Sequence, residues 1–367
     1  MEDRRPLVPV RRISRGRWPH PDSQSPRMLR AATLSEAVRE RARALGFDRV
    51  AIGPAAPPEH GAEFERWLDA GYAGTMEYLA RGRAARRDPE TLLPGARSVI
   101  AVALGYNQTA DADGWAPIAR YARGRDYHDV MRPRLEALGE ALCEMAGPET
   151  RSRACVDTSA VLERDLAARA GLGWIGKNTN LLDQALGSFF FIGIVLTTAE
   201  LATDSPLPDR CGSCTACLRA CPTQAFVAPY VLDSRRCISY LTIEHRGPVA
   251  EELRPAIGEW AFGCDICQTV CPWNRKAPPT SEPAFRPSGP LEPLEELLAL
   301  DDHAFRARFR GSALRRAKRS GLLRSAALVL GNRRDTAARP ALTRRLEDPD
   351  PVVRDAARWA LDRIGAE

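Results

Sequence analysis

Lysine is almost absent from this chain. Of 53 basic residues only Lys177, Lys276 and Lys318 are lysine and the rest are arginine. Arginine number alone therefore says little, and a net charge of +6 implies a polyanionic partner only where the charge is concentrated. Histidine is scarce as well: His20, His60, His128, His245 and His303 make five, none in a metal-binding pattern. No apolar run approaches the ~20 residues of a membrane helix. The longest, SFFFIGIVLTT at 188–198, is β-branched and aromatic and reads as a buried strand. Arginine pairs occur at Arg4-Arg5 and Arg11-Arg12, but no apolar core follows either, so an export signal is rejected. Residues 1–27 are rich in Arg and Pro without amphipathic period and are expected to be a disordered extension, with Met28 a candidate start. A cytoplasmic chain follows from this reading. Its ten cysteines then point to metal or catalysis rather than disulfides.

What is present divides along the chain. Thr33 and Glu36 form a capping-box pattern for a helix ending near Gly46. Strands are expected at 47–52 and 98–104, and helices over AEFERWLDAG, MEYLARGRAARRD, Tyr127 to Met145 and 161–170, with residues 107–117 a loop. Helices interleaved with strands make an α/β domain over 28–201. ATDSPLPDR at 202–210 is a linker by composition and opens a cysteine-rich, ferredoxin-like unit over 202–280; a second Pro-rich linker covers 277–290. Beyond it, LLRSAALVLGN (322–332) and VVRDAARWALDRIG (352–365) share an R-x-A-A core, with Pro351 placed to start the second helix. That tail, 290–367, resembles a HEAT-like helical repeat; a plain helical hairpin is the simpler alternative. The expected fold class is α+β multidomain.

Eight cysteines fall into two runs. The first is Cys211-x2-Cys214-x2-Cys217-x3-Cys221-Pro; the second is Cys264-x2-Cys267-x3-Cys271-Pro, with Cys237 upstream. A C-x2-C-x2-C loop wraps three sulfurs around one cubane while the next cysteine points to the other cluster. The expected ligand sets are Cys211, Cys214, Cys217 and Cys271 on one [4Fe–4S] cluster, and Cys221, Cys237, Cys264 and Cys267 on the second. A pair of zinc sites also uses C-x2-C, but the third cysteine at x2 and the Cys-Pro after x3 argue against zinc. Cys143 and Cys155 fit neither run and read as inert thiols. Two clusters make an electron relay, and the preceding domain must use the electrons.

GLGWIGK (171–177) contains a formal G-x-G-x-x-G. A helix precedes it and a strand comes afterwards, the reverse of a dinucleotide fingerprint, so that site is rejected. Asp157, ahead of a helix, is either an N-cap or, if Thr158 or Ser159 caps, a free carboxyl. Lys177 is either a surface charge or a site where a slim ammonium fits and a guanidinium does not.

VDTSAVLERDLAARAGLGWIGKNTNLL, the cysteine runs, RRCISYLTIEH, FGCDICQTVCPWN, YARGRDYHDVMRPRL and the helical tail together resemble the epoxyqueuosine reductase family from residue 28 onward. The resemblance implies a cobalamin-dependent enzyme with two [4Fe–4S] clusters. Its reaction reduces epoxyqueuosine at the tRNA wobble position to queuosine, consuming two electrons and two protons and releasing water. It implies Asp157 as proton donor, a role that calls for a raised pKa. It also implies cobalamin contacts from Lys177, Ser239, Cys264, Asp265, Arg120 and Arg81. No D-x-H-x-x-G motif supplies a histidine to cobalt, so the cofactor is expected base-off without a histidine ligand. His128 is read as structural.

Between His303 and Arg334 there is no acidic residue while ten cations occur, interleaved with Phe305 and Phe309. This uncompensated run suits an RNA backbone; a solvated face is the alternative. The expected partners are the modified tRNA and a low-potential electron donor, with no membrane and a monomeric state. Two rival readings are a cobalamin-dependent reductive dehalogenase, whose respiratory members carry a twin-arginine signal, and a non-enzymatic two-cluster carrier.

Overall fold

The computed structural model describes residues 26–108, 117–287 and 293–366. The extension up to residue 25, most of the 107–117 loop and the end of the second linker lie outside the described residues.

Strands β1 (Arg49–Pro54), β2 (Ser98–Gly105) and β3 (Ser152–Cys155) join a fourth long or edge strand in one sheet. Between β3 and that strand come the two-residue β4 (Trp174–Ile175) and β5 (Leu181–Leu182), so the sheet's last member is β6 (Phe190–Thr197). The order is β1-β2-β6-β3, antiparallel throughout. Around it stand α1 (Pro26–Ala44), α2 (Gly61–Asp69), α3 (Glu77–Arg81), α4 (Arg83–Arg87), α5 (Tyr127–Ala146) and α6 (Glu163–Arg169). Every residue of β2 is buried, which explains why its sequence is apolar without alternation. Ile100, Val102 and Leu104 face Met131, Leu135 and Leu138 of α5, while Val99, Ala101 and Ala103 face Leu166 and Ala167 of α6. Gly193 in β6 admits α5: a Cβ there would stand 2.8 Å from a Leu135 methyl.

α1 starts at Pro26, so Thr33 sits inside the helix and the capping box at Thr33 is corrected. Proline is well suited to a first helical turn, and Leu29 through Ala32 are good helix formers, so the helix extends N-terminally past the box. The linker is not loose: Asp204 pairs with Arg39 at 2.8 Å and accepts from the Ile52 amide at 2.9 Å.

The cysteine-rich part carries α7 (Ala216–Ala220), the hairpin β7–β8 (Phe226–Ala228, Val231–Leu232), α8 (Ile238–Ile243) and α9 (Ile266–Thr269). The tail carries α10 (Leu294–Leu297), α11 (Asp302–Arg308), α12 (Lys318–Arg333), α13 (Arg339–Arg344) and α14 (Pro351–Gly365). α12 and α14 hold the two R-x-A-A segments, and Asp350 caps α14 by accepting from the Val352 amide, with Pro351 at its start. Gly331 lets the two helices approach, since a Cβ there would lie 2.8 Å from the Ala360 Cα. α8 and the tail share one core: Leu241 and Ile243 pack with Leu322, Leu323 and Ala326. Arg324, 1% exposed, ties them further by donating to the carbonyls of Leu241, His245 and Gly247.

The tertiary structure supplies the acids that the 303–334 run lacks. Arg316 pairs with Glu244 at 2.7 Å, Arg333 with Glu259 at 2.9 Å, and buried Arg319 with Asp348 at 2.5 Å. Three of the run's ten cations are therefore compensated by residues distant in sequence. Phe305 and Phe309 are likewise not surface aromatics; both are buried and pack 5.2 Å apart in the tail core. Arg306, Arg310, Arg315 and Lys318 remain exposed.

Candidate active site and relay

The two cysteine runs fold into two neighbourhoods. Cys217 senses the charges of Cys271 and Cys211, and Cys271 those of Cys211 and Cys214. In the other neighbourhood Cys264 senses Cys237 and Cys221, and Cys267 senses Cys237 and Cys264. Cys267 also senses Cys217, so the two sets adjoin. Burial pushes the thiols of Cys211, Cys217, Cys237, Cys267 and Cys271 up, and that of Cys264 to about 12. Such thiols bind iron by giving up protons, which couples assembly to metal. Among the described residues no three His, Cys, Asp or Glu side chains converge as a single-ion site.

The GWIGKNTN segment is a hairpin, β4–β5, whose turn is closed by Gly176 N–H to Asn180 O at 2.8 Å. It leans on both cysteine neighbourhoods. Lys177 Nζ donates to Gly212 O and, at 3.0 Å, to Cys214 O. Lys177, expected to contact cobalamin, thus has its head on the first cysteine loop in this structure, because the tight turn aims it there. Asn178 donates to Cys267 O at 3.3 Å, and Asn180 points its amide at Cys267 Sγ, 3.9 Å away. Neither asparagine was singled out by the sequence, although both lie within its most characteristic segment.

Asp157 lies in the turn between β3 and α6, in the left-handed region at φ 45°. It is not the N-cap of α6, which Leu162 occupies. Its carboxylate is 59% exposed yet densely surrounded by protein at longer range, and His128 Nε2 stands 3.5 Å away. That is an ion-pair separation without an aligned hydrogen bond. Desolvation would raise the Asp157 carboxyl, but His128 and the Tyr127 hydroxyl outweigh it and hold the pKa below the ordinary range. The raised pKa expected for Asp157 is therefore corrected for this state of the cleft. His128 is the group pushed up, to about 9: burial opposes its charge, but Asp126 at 2.9 Å and Asp157 overcome that. His128 is then not merely structural. Its signal was its place in YARGRDYHDVM, in the first turn of a helix that Asp126 caps by accepting from the His128 amide. Behind Asp157, burial and the Asp157 charge push Glu163 up to about 8, and one of its oxygens is buried without a partner.

Three chain segments meet at this cleft. Tyr78, 39% exposed, carries Arg316 from the tail over its ring at 5.5 Å and senses Glu244 and Asp157. Tyr121 senses Asp157, Asp265 and Glu244 together. Asp265, 3% exposed, accepts from the Arg120 amide at 2.8 Å, beside Cys264. The Arg120 guanidinium lies over Phe189 at 4.7 Å and donates to Asn107. Ser239 is half-buried on α8, and Arg81 is exposed at the end of α3. An open cavity of about 600 Å³ adjoins, lined by Arg125, Asp126, His128, Asp129, Arg132 and Thr158 among others.

Comparison with known proteins gives this arrangement its relatives. The family model described as "Epoxyqueuosine reductase QueG, DUF1730" matches residues 86–158. The 4Fe-4S double cluster binding domain matches 210–274, and HEAT repeats match 307–367. The epoxyqueuosine reductase of Pseudomonas aeruginosa is 44% identical over 351 residues, 91% of this chain and 95% of that one. That of Escherichia coli is 40% identical over 338 residues, 89% of each. Among solved structures, an epoxyqueuosine reductase with an epoxyqueuosine-modified tRNA-Tyr stem loop superposes with a TM-score of 0.81 at 33% identity, covering 91% of each chain. The Bacillus subtilis enzyme, with its catalytic aspartate loop swung out of the active site, gives 0.82 at 32% identity and 91% coverage of each.

Proposed function

The chain belongs to the epoxyqueuosine reductase family, an oxidoreductase with a double 4Fe-4S domain, and we propose that Asp157 is the group that protonates the departing epoxide oxygen. The observation that carries this reading is the Asp157–His128 pair at a cleft that adjoins the second cysteine set through Asp265 and Tyr121. Reduction of epoxyqueuosine to queuosine takes two electrons and two protons and releases water, so the cleft needs an electron source and a proton source side by side.

The first set, Cys211, Cys214, Cys217 and Cys271, would hold one [4Fe–4S] cluster, and Cys221, Cys237, Cys264 and Cys267 the other. Cobalamin would lie in the cleft between them and Asp157, where exposed Tyr78, the guanidinium of Arg316 and the Asp157 carboxylate offer aromatic and polar groups to the amides of a corrin rim. When bound it supplies low-potential two-electron chemistry at the epoxide carbon. Ser239, Cys264, Asp265 and Arg81 would supply further contacts to it, whereas Arg120 acts through its backbone on Asp265. With His128 charged up to about pH 9, the Asp157–His128 pair carries one proton between them near neutrality. His128, held by Asp126, passes that proton through Asp157 to the oxygen, and solvent supplies the second proton and reloads the pair. Asp157 sits in a left-handed turn with its carboxyl beside His128 rather than at the N-cap of α6.

The substrate is a tRNA anticodon loop, already single-stranded, whose modified base enters the cleft at small cost. Exposed Arg306, Arg310, Arg315 and Lys318 would take its phosphates, with Arg316 at the cleft edge. The chain works as a monomer of three units, 28–201, 202–280 and 290–367, in the cytoplasm. No helix among the described residues is long and apolar enough to cross a membrane. The test is conversion: protein reconstituted anaerobically with clusters and cobalamin is given reductant and tRNA bearing epoxyqueuosine, and digested nucleosides are weighed by mass spectrometry. Loss of one oxygen is expected. An unchanged nucleoside from fully loaded protein would overturn the reading.

A further inference from the structure

The two cysteine neighbourhoods differ in what covers them. Cys214 is exposed, whereas no cysteine of the second set is. Beside Cys214 the β7–β8 hairpin presents Val227 at 49% and Tyr230 at 43% exposure, two of the four exposed large hydrophobic side chains among the described residues. The hairpin is fixed there. Tyr230, at φ 68°, donates its amide to Lys177 O at 3.0 Å and its hydroxyl to Asp209, whose other oxygen accepts from the Cys211 amide at 2.7 Å. Lys177 in turn grips the carbonyls of Gly212 and Cys214.

The charge around this edge has one sign. No acid occurs in 210–232 or in 266–281, the segments that carry the first set's cysteines, while Arg210, Arg219, Arg275 and Lys276 are exposed on them. Asp209, just outside, is already engaged by Tyr230 and the Cys211 amide. An exposed apolar pair inside a cationic collar, over the only exposed cysteine of the relay, has the form of a transient protein contact.

We propose that the face formed by Cys214, Val227, Tyr230, Arg210, Arg219 and Lys276 docks a small acidic one-electron carrier protein. The proposal rests on the reading that these cysteines hold clusters. At each docking the carrier is oxidised by one electron and the first cluster is reduced, so each epoxide requires two dockings. The charge complementarity favours an acidic protein over RNA because the tail reaches Asp157's cleft through Arg316 at Tyr78, whereas the second cysteine set adjoins both that cleft and this edge. Such encounters are small, weak and salt-sensitive.

The test uses loaded holoenzyme and reduced flavodoxin as the probe, with cluster bleaching followed by stopped flow. The variants are Arg219→Glu with Lys276→Glu, and separately Val227→Ser. Wild-type reduction should slow as salt rises, and the charge reversals should slow it about tenfold or more at low ionic strength and flatten its salt dependence. Val227→Ser should slow it with the salt dependence kept. Cluster reduction by a small-molecule reductant and binding of tRNA should stay within about twofold, an outcome that also reports an intact fold. Unchanged flavodoxin rates in variants with assembled clusters would overturn the docking surface alone. Loss of tRNA affinity with unchanged flavodoxin rates would reassign the face to RNA. A wild-type protein that assembles no clusters would overturn the cluster reading itself.

Discussion

The two cysteine sets are written in nearly the same spacing and placed in opposite surroundings. The first ends at an exposed cysteine under a basic collar; the second lies beneath the β4–β5 hairpin, with Asn178 and Asn180 on Cys267 and Asp265 leading to the cleft. One set is built to be reached from solvent and the other to be reached from inside. Spacing determines which sulfurs gather, and the rest of the fold determines what each gathering faces.

Cys267→Ser and Cys214→Ser should separate the two most strongly. Loss of a half-buried ligand next to the cleft should abolish queuosine formation with any reductant. Cys214→Ser should abolish it with a protein carrier while a small reductant still supports turnover. Equal losses in both variants would erase the distinction. Next in size, His128→Asn should slow turnover by roughly 10–100-fold, since it removes the group that keeps the proton beside Asp157. The pH profile gives the sign. A His128 pKa raised to about 9 keeps the proton loaded below that pH, so wild-type activity should fall as pH rises through 9. Asp126, Asp157, Tyr127 and Glu163 face that group, and His128→Asn should lose this alkaline limb. An alkaline limb that persists in the variant would assign it elsewhere.

A smaller effect is expected at Asn180, whose amide points at Cys267 Sγ. Asn180→Ala should make the second cluster's potential more negative in a redox titration and leave the first unchanged, because a donor near sulfur stabilises the reduced state. Smallest for the relay is Gly331→Ala in the tail. Its Cβ would press on Ala360, so about 1–3 kcal/mol of stability should be lost in denaturant unfolding. Both cluster signals should survive.

Much of this was readable in the sequence because it is local. The cysteine spacings, the α12–α14 repeat and the buried β6 each depend on residues close in the chain. The G-x-G-x-x-G was rejected on order alone, and its residues do form a hairpin turn rather than a strand-to-helix turn. What escaped was pairing across distance. His128 and Asp157 come from α5 and the β3–α6 turn, and no periodicity announces that they meet. The arginine run looked uncompensated because its acids, Glu244, Glu259 and Asp348, lie outside it. Lys177 was rightly marked as unusual, but its rarity could not say whether it faced a cofactor or the carbonyls of a cysteine loop.

The most direct measurement is a single turnover with clusters and cobalamin reduced beforehand, comparing wild type with Asp157→Asn. The account predicts that wild type converts bound epoxyqueuosine to queuosine as its reduced signals decay. The variant should keep both its reducing equivalents and its epoxide. Conversion by Asp157→Asn at the wild-type rate would contradict the account, since the cleft's proton would then come from another group.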